Sequence, residues 1–115
     1  VYLVLRALAA IGLVAEPLAT HALTIGVIGG MTIGMMTRTA RGHTGRPLVA
    51  DGFEVACYLL VQCAALVRVF GPMVLPNAYL STVIGSAICW SGGFALYAIR
   101  YWPVLSRARL DGKPG

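Results

Sequence analysis

The sequence predicts an all-α protein, a polytopic transmembrane helical bundle of about four spans with the first one truncated. Three observations predict it. Hydrophobic residues make up 58% of the 115 and charged residues only 11%, whereas a soluble domain carries roughly 25% charged residues. There is too little charge to coat a water-facing surface. The apolar residues are gathered into four stretches, residues 1–15, 18–37, 53–70 and 78–104. Six of the nine basic residues stand between or after these stretches. An ordinary globular enzyme, a disordered chain and a small disulfide scaffold are excluded. The three cysteines form no CxxC pair and all lie inside apolar runs, so they signal neither a disulfide framework nor a zinc site.

A helix rises about 1.5 Å per residue and the hydrocarbon core is about 30 Å thick. Residues 1–15 therefore reach only roughly 22 Å as a helix. The expectation is that the chain starts within a helix and is the C-terminal part of a longer bundle. A signal peptide is the rival reading, but a start residue and a clean A-x-A site are both missing. Glu16-Pro17 separates the first two stretches, because proline stops the helix before it and suits the first turn of the next. Residues 18–37 can span, with His21 at the beginning of this helix. Gly42, Gly45 and Pro47 break the second stretch from the third. Asp51 followed by Glu54 has the capping-box pattern, so the third helix starts there. Gly71-Pro72 and Pro76-Asn77 separate the third from the fourth. Pro103 closes the fourth or begins an interfacial segment. Residues 1–115 thus read as one membrane domain, with residues 105–115 as a basic tail.

Seven of the nine Lys and Arg residues fall in two places: Arg38, Arg41 and Arg46 in the second loop, and Arg100, Arg107, Arg109 and Lys113 at the end of the last helix and in the tail. The loops at residues 16–20 and 71–77 hold none. Two helices separate the basic segments, so both lie on one face. The positive-inside rule makes that face, and the C-terminus, cytoplasmic. Topology therefore explains the net charge of +5, and no nucleic-acid partner is expected, since no basic patch is interleaved with aromatics. Tyr101 and Trp102 stand where an interfacial aromatic belt belongs.

Within the spans, Ala22, Gly26, Gly30 and Gly34 form a small-xxx-small stripe, and Ser81, Gly85, Cys89 and Gly93 form another. Such stripes let helix backbones approach closely in lipid, and the alternative is bare backbone facing a ligand or pore. Met31 and Met35 share a helix face and read as packing or as soft donors for Cu(I). Polar groups at membrane depth are costly and informative. Arg6 is the candidate for an internal ion pair or for an anionic group such as a haem propionate. Arg68 reads as snorkelling to the interface. Glu54, Tyr58 and Gln62 form a stripe that either hydrogen-bonds between helices or lines a cavity. His21 and His43 are the two histidines, and each either satisfies hydrogen bonds or ligates a metal. The loop Gly42-His43-Thr44-Gly45-Arg46-Pro47 either cradles an anion through its backbone or is a turn carrying topology charges. There is no HExxH, phosphate-binding glycine loop or nucleophile elbow.

Residues 21–48 read HALTIGVIGGMTIGMMTRTARGHTGRPL. This closely resembles the NnrS family, in the pattern H-A-L-T-x-G, then G-x-M, M-x-R and G-H-T-G-R-P-L. The flanks fit more loosely: an arginine-containing helix ending in Glu-Pro-Leu before, and two spans with a basic tail after. The resemblance implies a multi-pass protein of the bacterial inner membrane, associated with denitrification and with protection from nitric oxide. It implies haem and copper as cofactors and favours His21 or His43 as a metal ligand, without saying which residues bind which metal. With the residues singled out above, the candidate cofactor-binding residues are His21, His43 and Arg6, and the candidate metal ligands are His21, His43, Met31 and Met35. The expected partners are the lipid bilayer, the remaining helices of a longer protein, and nitric oxide. Whether it is an enzyme stays open, because binding nitric oxide at a haem is not turnover. A transporter or channel segment and a structural membrane subunit are the alternative readings. The two histidines are expected not to share one ion, because the helix from His21 to Thr37 alone is roughly 24 Å long.

Overall fold

The computed structural model of the protein describes residues 1–108 together with Leu110 and Gly112. Arg109 and Lys113 of the expected basic tail lie outside the described residues. Four helices follow one another: α1 is Tyr2–Ala10, α2 is Glu16–His43, α3 is Gly52–Val74, and α4 is Tyr79–Leu105, entered through a 3₁₀ turn at Pro76–Ala78. The described residues contain no strand. The segments Glu16–His43, Gly52–Val74 and Pro76–Leu105 are long and apolar enough to cross a membrane. At nine residues, α1 is only about 13 Å long and does not span. The four expected helices are present, three of them spanning.

Their ends differ from expectation, and each difference has a physical cause. Helix α2 starts at Glu16, so His21 lies more than a turn inside it. It also runs past Thr37, carrying Arg38, Arg41 and His43 on its last turns rather than in a loop. Hydropathy falls there, but Ala40 is buried and the backbone ladder continues. The helix stops in a Schellman motif. The Arg46 N–H donates to the Arg41 carbonyl at 3.0 Å, and the Gly45 N–H donates to the Gly42 carbonyl at 3.3 Å. Gly45 takes φ +70° to close it, a left-handed conformation that glycine adopts without a steric penalty. Pro72 and Pro103 both lie inside their helices. Each removes only its own donor, and the next donors continue: the Leu75 N–H reaches the Gly71 carbonyl at 2.8 Å, and the Ser106 N–H the Trp102 carbonyl at 3.0 Å. Both helices end within one turn of their prolines.

The middle of α2, Ala22–Gly29, is a π-helix, whose bonds reach one residue further back than in an α-helix. The glycines around it are where neighbouring helices come close. Gly26 faces Ala65, Gly30 faces the Gln62 amide, and Gly29 lies under the Trp90 ring. Gly34, the last member of the predicted stripe, has nothing within 4 Å of where a Cβ would stand. On α4 the closest approach is at Gly93, where a Cβ would stand 3.0 Å from Val61 Cγ2 and 3.2 Å from the Cys57 carbonyl oxygen. Ser86 fastens the same two helices by donating its hydroxyl to the Ala64 carbonyl at 2.8 Å.

Two buried clusters result. One joins Ile33, Ala40, Cys57, Val61, Tyr97 and Tyr101 toward the arginine-rich end. The other joins Leu5, Ala19, Ala22 and Val69, and seats α1 against α2 and α3. Ile28, Leu59, Leu66, Ile88 and Ile99 face outward and are exposed. In lipid such an exterior carries no hydrophobic penalty, whereas in water it would be an apolar patch of the kind that soluble monomers avoid.

Candidate functional site

The bundle carries a polar site at each end. The basic end is built on the start of α3. Asp51 caps that helix, its side chain accepting from the Phe53 N–H at 3.0 Å and the Glu54 N–H at 3.1 Å. Glu54 returns the bond, its Oε2 accepting from the Asp51 N–H at 2.9 Å, so the expected capping box is complete. The Glu54 N–H bond is the main cause holding the Asp51 carboxyl below the usual carboxylate range, with Arg100 and the Phe53 N–H adding to it.

The other oxygen of Glu54 joins three helices. Its Oε1 accepts from Arg41 Nε of α2 at 2.5 Å and from the Tyr101 hydroxyl of α4. Glu54 is only 2% exposed, and a buried charge needs such partners. Arg41 also donates from Nη2 to Asp51 Oδ2 at 3.2 Å and from Nη1 to the Pro47 carbonyl at 3.1 Å. Arg100 reaches the same Asp51 oxygen at 3.3 Å and lies 5.7 Å over the Phe53 ring. Deeper in the bundle, Tyr58 and Thr37 bond at 2.5 Å. The single hydroxyl proton of Thr37 goes to the Gly34 carbonyl at 2.8 Å, so Tyr58 is the donor to Thr37. Of the predicted polar stripe, Glu54 and Tyr58 therefore bond between helices and Gln62 packs on Gly30. Glu54 and Tyr58 also line a cavity of about 220 Å³ with Thr37, Arg38 and Arg41, so both readings hold for these two residues of the stripe.

The far end brings His21 and Arg68 into one pocket of about 540 Å³, walled by Leu13, Val14, Leu18, Met73 and Tyr79. Arg68 lies 5.9 Å over the Tyr79 ring. Its Nη1 is buried and has no hydrogen-bond partner among the described residues. The end of the side chain is thus packed within the protein rather than extended free to an interface. The remaining candidates are dispersed. Arg6 pairs with Glu16 at 2.5 Å, both side chains being exposed, at 47% and 71%, so its ion pair ties α1 to α2 at the surface. Met31 and Met35 are exposed on α2, and His43 is exposed at its last turn. His21 and His43 stand at opposite ends of α2, roughly 30 Å apart. Among the described residues, no three His, Cys, Asp or Glu side chains gather in a metal-binding group.

Sequence reasoning did not pair Arg41 with Glu54 and Tyr101, nor His21 with Arg68. The second pairing had a signal: both residues are polar, at membrane depth, and at the same end of antiparallel helices. It also missed that Cys63 and Cys89 bring their sulfurs to 4.0 Å, although each lies near the middle of its span.

A helical bundle with three spanning helices, a buried ion-pair network at one end and a histidine–arginine pocket at the other defines a multi-pass membrane protein. The chain belongs to the NnrS family, whose sequence model, described as NnrS protein, matches residues 1–109. No curated protein and no solved structure matches the chain.

Proposed function

We propose that this protein acts in the response to nitric oxide, holding a haem at the end that carries His21 and Arg68. The observation that supports this is that Arg68, whose buried Nη1 has no partner among the described residues, lines the same apolar-walled pocket as His21. A protein that holds haem offers an axial nitrogen, apolar walls, and control of polarity around the iron. His21 would offer the nitrogen, and Arg68 would hold a propionate through a charge-assisted hydrogen bond. Leu13, Val14, Leu18 and Met73 would keep water away. The haem would supply the iron that binds nitric oxide. Arg6 is already engaged by Glu16 and so is the weaker of the two arginines for this role.

Copper fits this chain less completely. Met31 and Met35 offer two thioethers on one exposed face, which suits a soft ion, and His43 offers an imidazole at the basic end. The described residues close no set of donors around any of them, so each would need further ligands. The Arg-rich end is proposed to face the cytoplasm and the membrane to be a bacterial inner membrane, on the positive-inside rule.

Absorption spectroscopy of the purified protein tests the reading. A Soret band is expected, lost in His21→Ala and shifted or weakened in Arg68→Gln, while His43→Ala retains it. No Soret band in folded, haem-supplied protein would overturn it. The cavity beside Thr37, Glu54 and Tyr58 favours a second reading, a transporter segment. Solute flux in proteoliposomes without a Soret band would support that reading instead, and neither signal would leave a structural subunit.

A further inference from the structure

The pocket at the basic end has charge that the ion-pair network does not use. It encloses about 400 Å³ between the loop after α2, the start of α3 and the end of α4. Arg41, Arg46, Arg100 and Arg107 line it, against the two carboxylates of Asp51 and Glu54. Those carboxylates are occupied. Glu54 takes Arg41, Tyr101 and the Asp51 N–H, while Asp51 takes two cap bonds, Arg41 and Arg100. Among the described residues, neither Arg46 nor Arg107 forms an ion pair with a carboxylate. Arg46 is held in place by the Schellman turn at its own N–H, and its Nη1 is buried without a partner. A buried, unpartnered guanidinium nitrogen beside a surplus of two positive charges marks a place for an anion.

The chemistry of the lining narrows which anion. Much of the backbone is already engaged: the loop donors at Thr44, Gly45 and Arg46 turn back to α2 carbonyls, and the Phe53 and Glu54 N–H groups are capped by Asp51. Recognition falls to guanidinium groups on different segments, which converge on an anion with several oxygens. Arginine's planar fork matches phosphate oxygens two at a time. Pro47, Pro103 and Val104 give the pocket an apolar side. Trp102, beside it on α4, is 76% exposed, as befits an anchor at headgroup level. Basic pockets between transmembrane helices at that level take lipid headgroups.

We propose that this pocket binds a phosphate group, held chiefly by Arg46 and Arg107 with Arg100 at the rim. The source is either the phosphodiester of an anionic phospholipid or a free phosphate. The test uses purified protein in a zwitterionic detergent, titrated separately with phosphatidylglycerol and with inorganic phosphate. Binding is followed by native mass spectrometry and by the rise in melting temperature that a native-state ligand produces. Wild type is expected to bind, and Arg46→Gln to bind at least tenfold more weakly. Arg107→Gln, at an exposed position where folding is not at stake, is expected to weaken binding severalfold. Arg38→Gln, an exposed arginine outside this pocket, is expected to bind like wild type. Retention of phosphatidylglycerol alone assigns a lipid headgroup, and a response to inorganic phosphate assigns the free anion as a ligand. No binding of either probe by wild type overturns the proposal. So does unchanged binding in both Arg46→Gln and Arg107→Gln, or an equal loss in Arg38→Gln.

Discussion

Arg41 of α2 and Glu54 of α3 form an ion pair 2.5 Å long with the carboxylate side chain only 2% exposed, and Tyr101 of α4 donates to the same oxygen. One carboxylate thus fixes the relative positions of all three spanning helices at the basic end. Burying it costs free energy that its partners offset. The pair therefore specifies how the helices meet more than it adds net stability.

Removing one partner should be far worse than removing both. Glu54→Gln leaves the Arg41 guanidinium half-buried without its main counter-charge, and breaking such a pair costs about 3–5 kcal/mol. The expected result is a large drop in melting temperature in detergent. Arg41→Met combined with Glu54→Leu should recover much of that loss. A double variant as unstable as the sum of its singles would show that the pair is not coupled.

Asp51 sets an acid limit on stability. Its folded carboxyl lies below the ordinary range. A carboxylate with a lowered folded value contributes stability that is complete above its unfolded value, about 3.9. That contribution is lost as pH falls from there through the folded value. Melting temperature should therefore be insensitive to Asp51 near neutral pH and decline below about pH 4. The size is modest, because the side chain is 40% exposed and exposed pairs give at most about 1 kcal/mol. Asp51→Asn should be less stable at pH 7 and show a smaller acid decline, measured as melting temperature against pH. An identical decline in the variant would place the acid sensitivity elsewhere.

The glycines of α2 should differ in tolerance. A Cβ at Gly29 would collide with the Trp90 ring, whereas one at Gly34 would meet nothing within 4 Å. Gly29→Leu should cost about 1–3 kcal/mol or more by overpacking and accumulate poorly in membranes. Gly30→Leu should be intermediate, because its obstacle is the end of the flexible Gln62 side chain. Gly34→Leu should behave like wild type. Equal loss at Gly29 and Gly34 would contradict the packing of α2.

Cys63 and Cys89 should cross-link within one chain. Their sulfurs are 4.0 Å apart on α3 and α4, close enough that small shifts reach the roughly 2.05 Å of a disulfide. Diamide, as the oxidant, should remove two hydrogens from these thiols and leave buried Cys57 free, read by mass spectrometry after thiol labelling. A link involving Cys57 instead would mean that the helix faces are turned differently.

The orientation proposed from charge is checked with reporters. A fusion after Gly115 should be active only in the cytoplasm, and one inserted at Met73, in the last turn of α3, only outside it. The opposite pattern would reverse the bundle in the membrane.

The sequence alone determined the number of helices, which of them can span, and the start of α3 at Asp51 and Glu54. These follow from apolar length, from charge at the ends and from a cap closed within four residues, all of them local along the chain. It also carried the family, through the stretch from His21 to Leu48. Tertiary structure decided the rest. Nothing in hydropathy distinguishes the π-helical turn at Ala22–Gly29 from ordinary helix, nor shows that Pro72 and Pro103 stay inside theirs. The meetings of Arg41 with Glu54 and Tyr101, of His21 with Arg68, and of Cys63 with Cys89 depend on how each helix is rotated about its axis. That rotation is set by small residues such as Gly29 and Gly93 admitting a neighbour's side chain or backbone. Such contacts join residues distant along the chain, and no local pattern records which will meet.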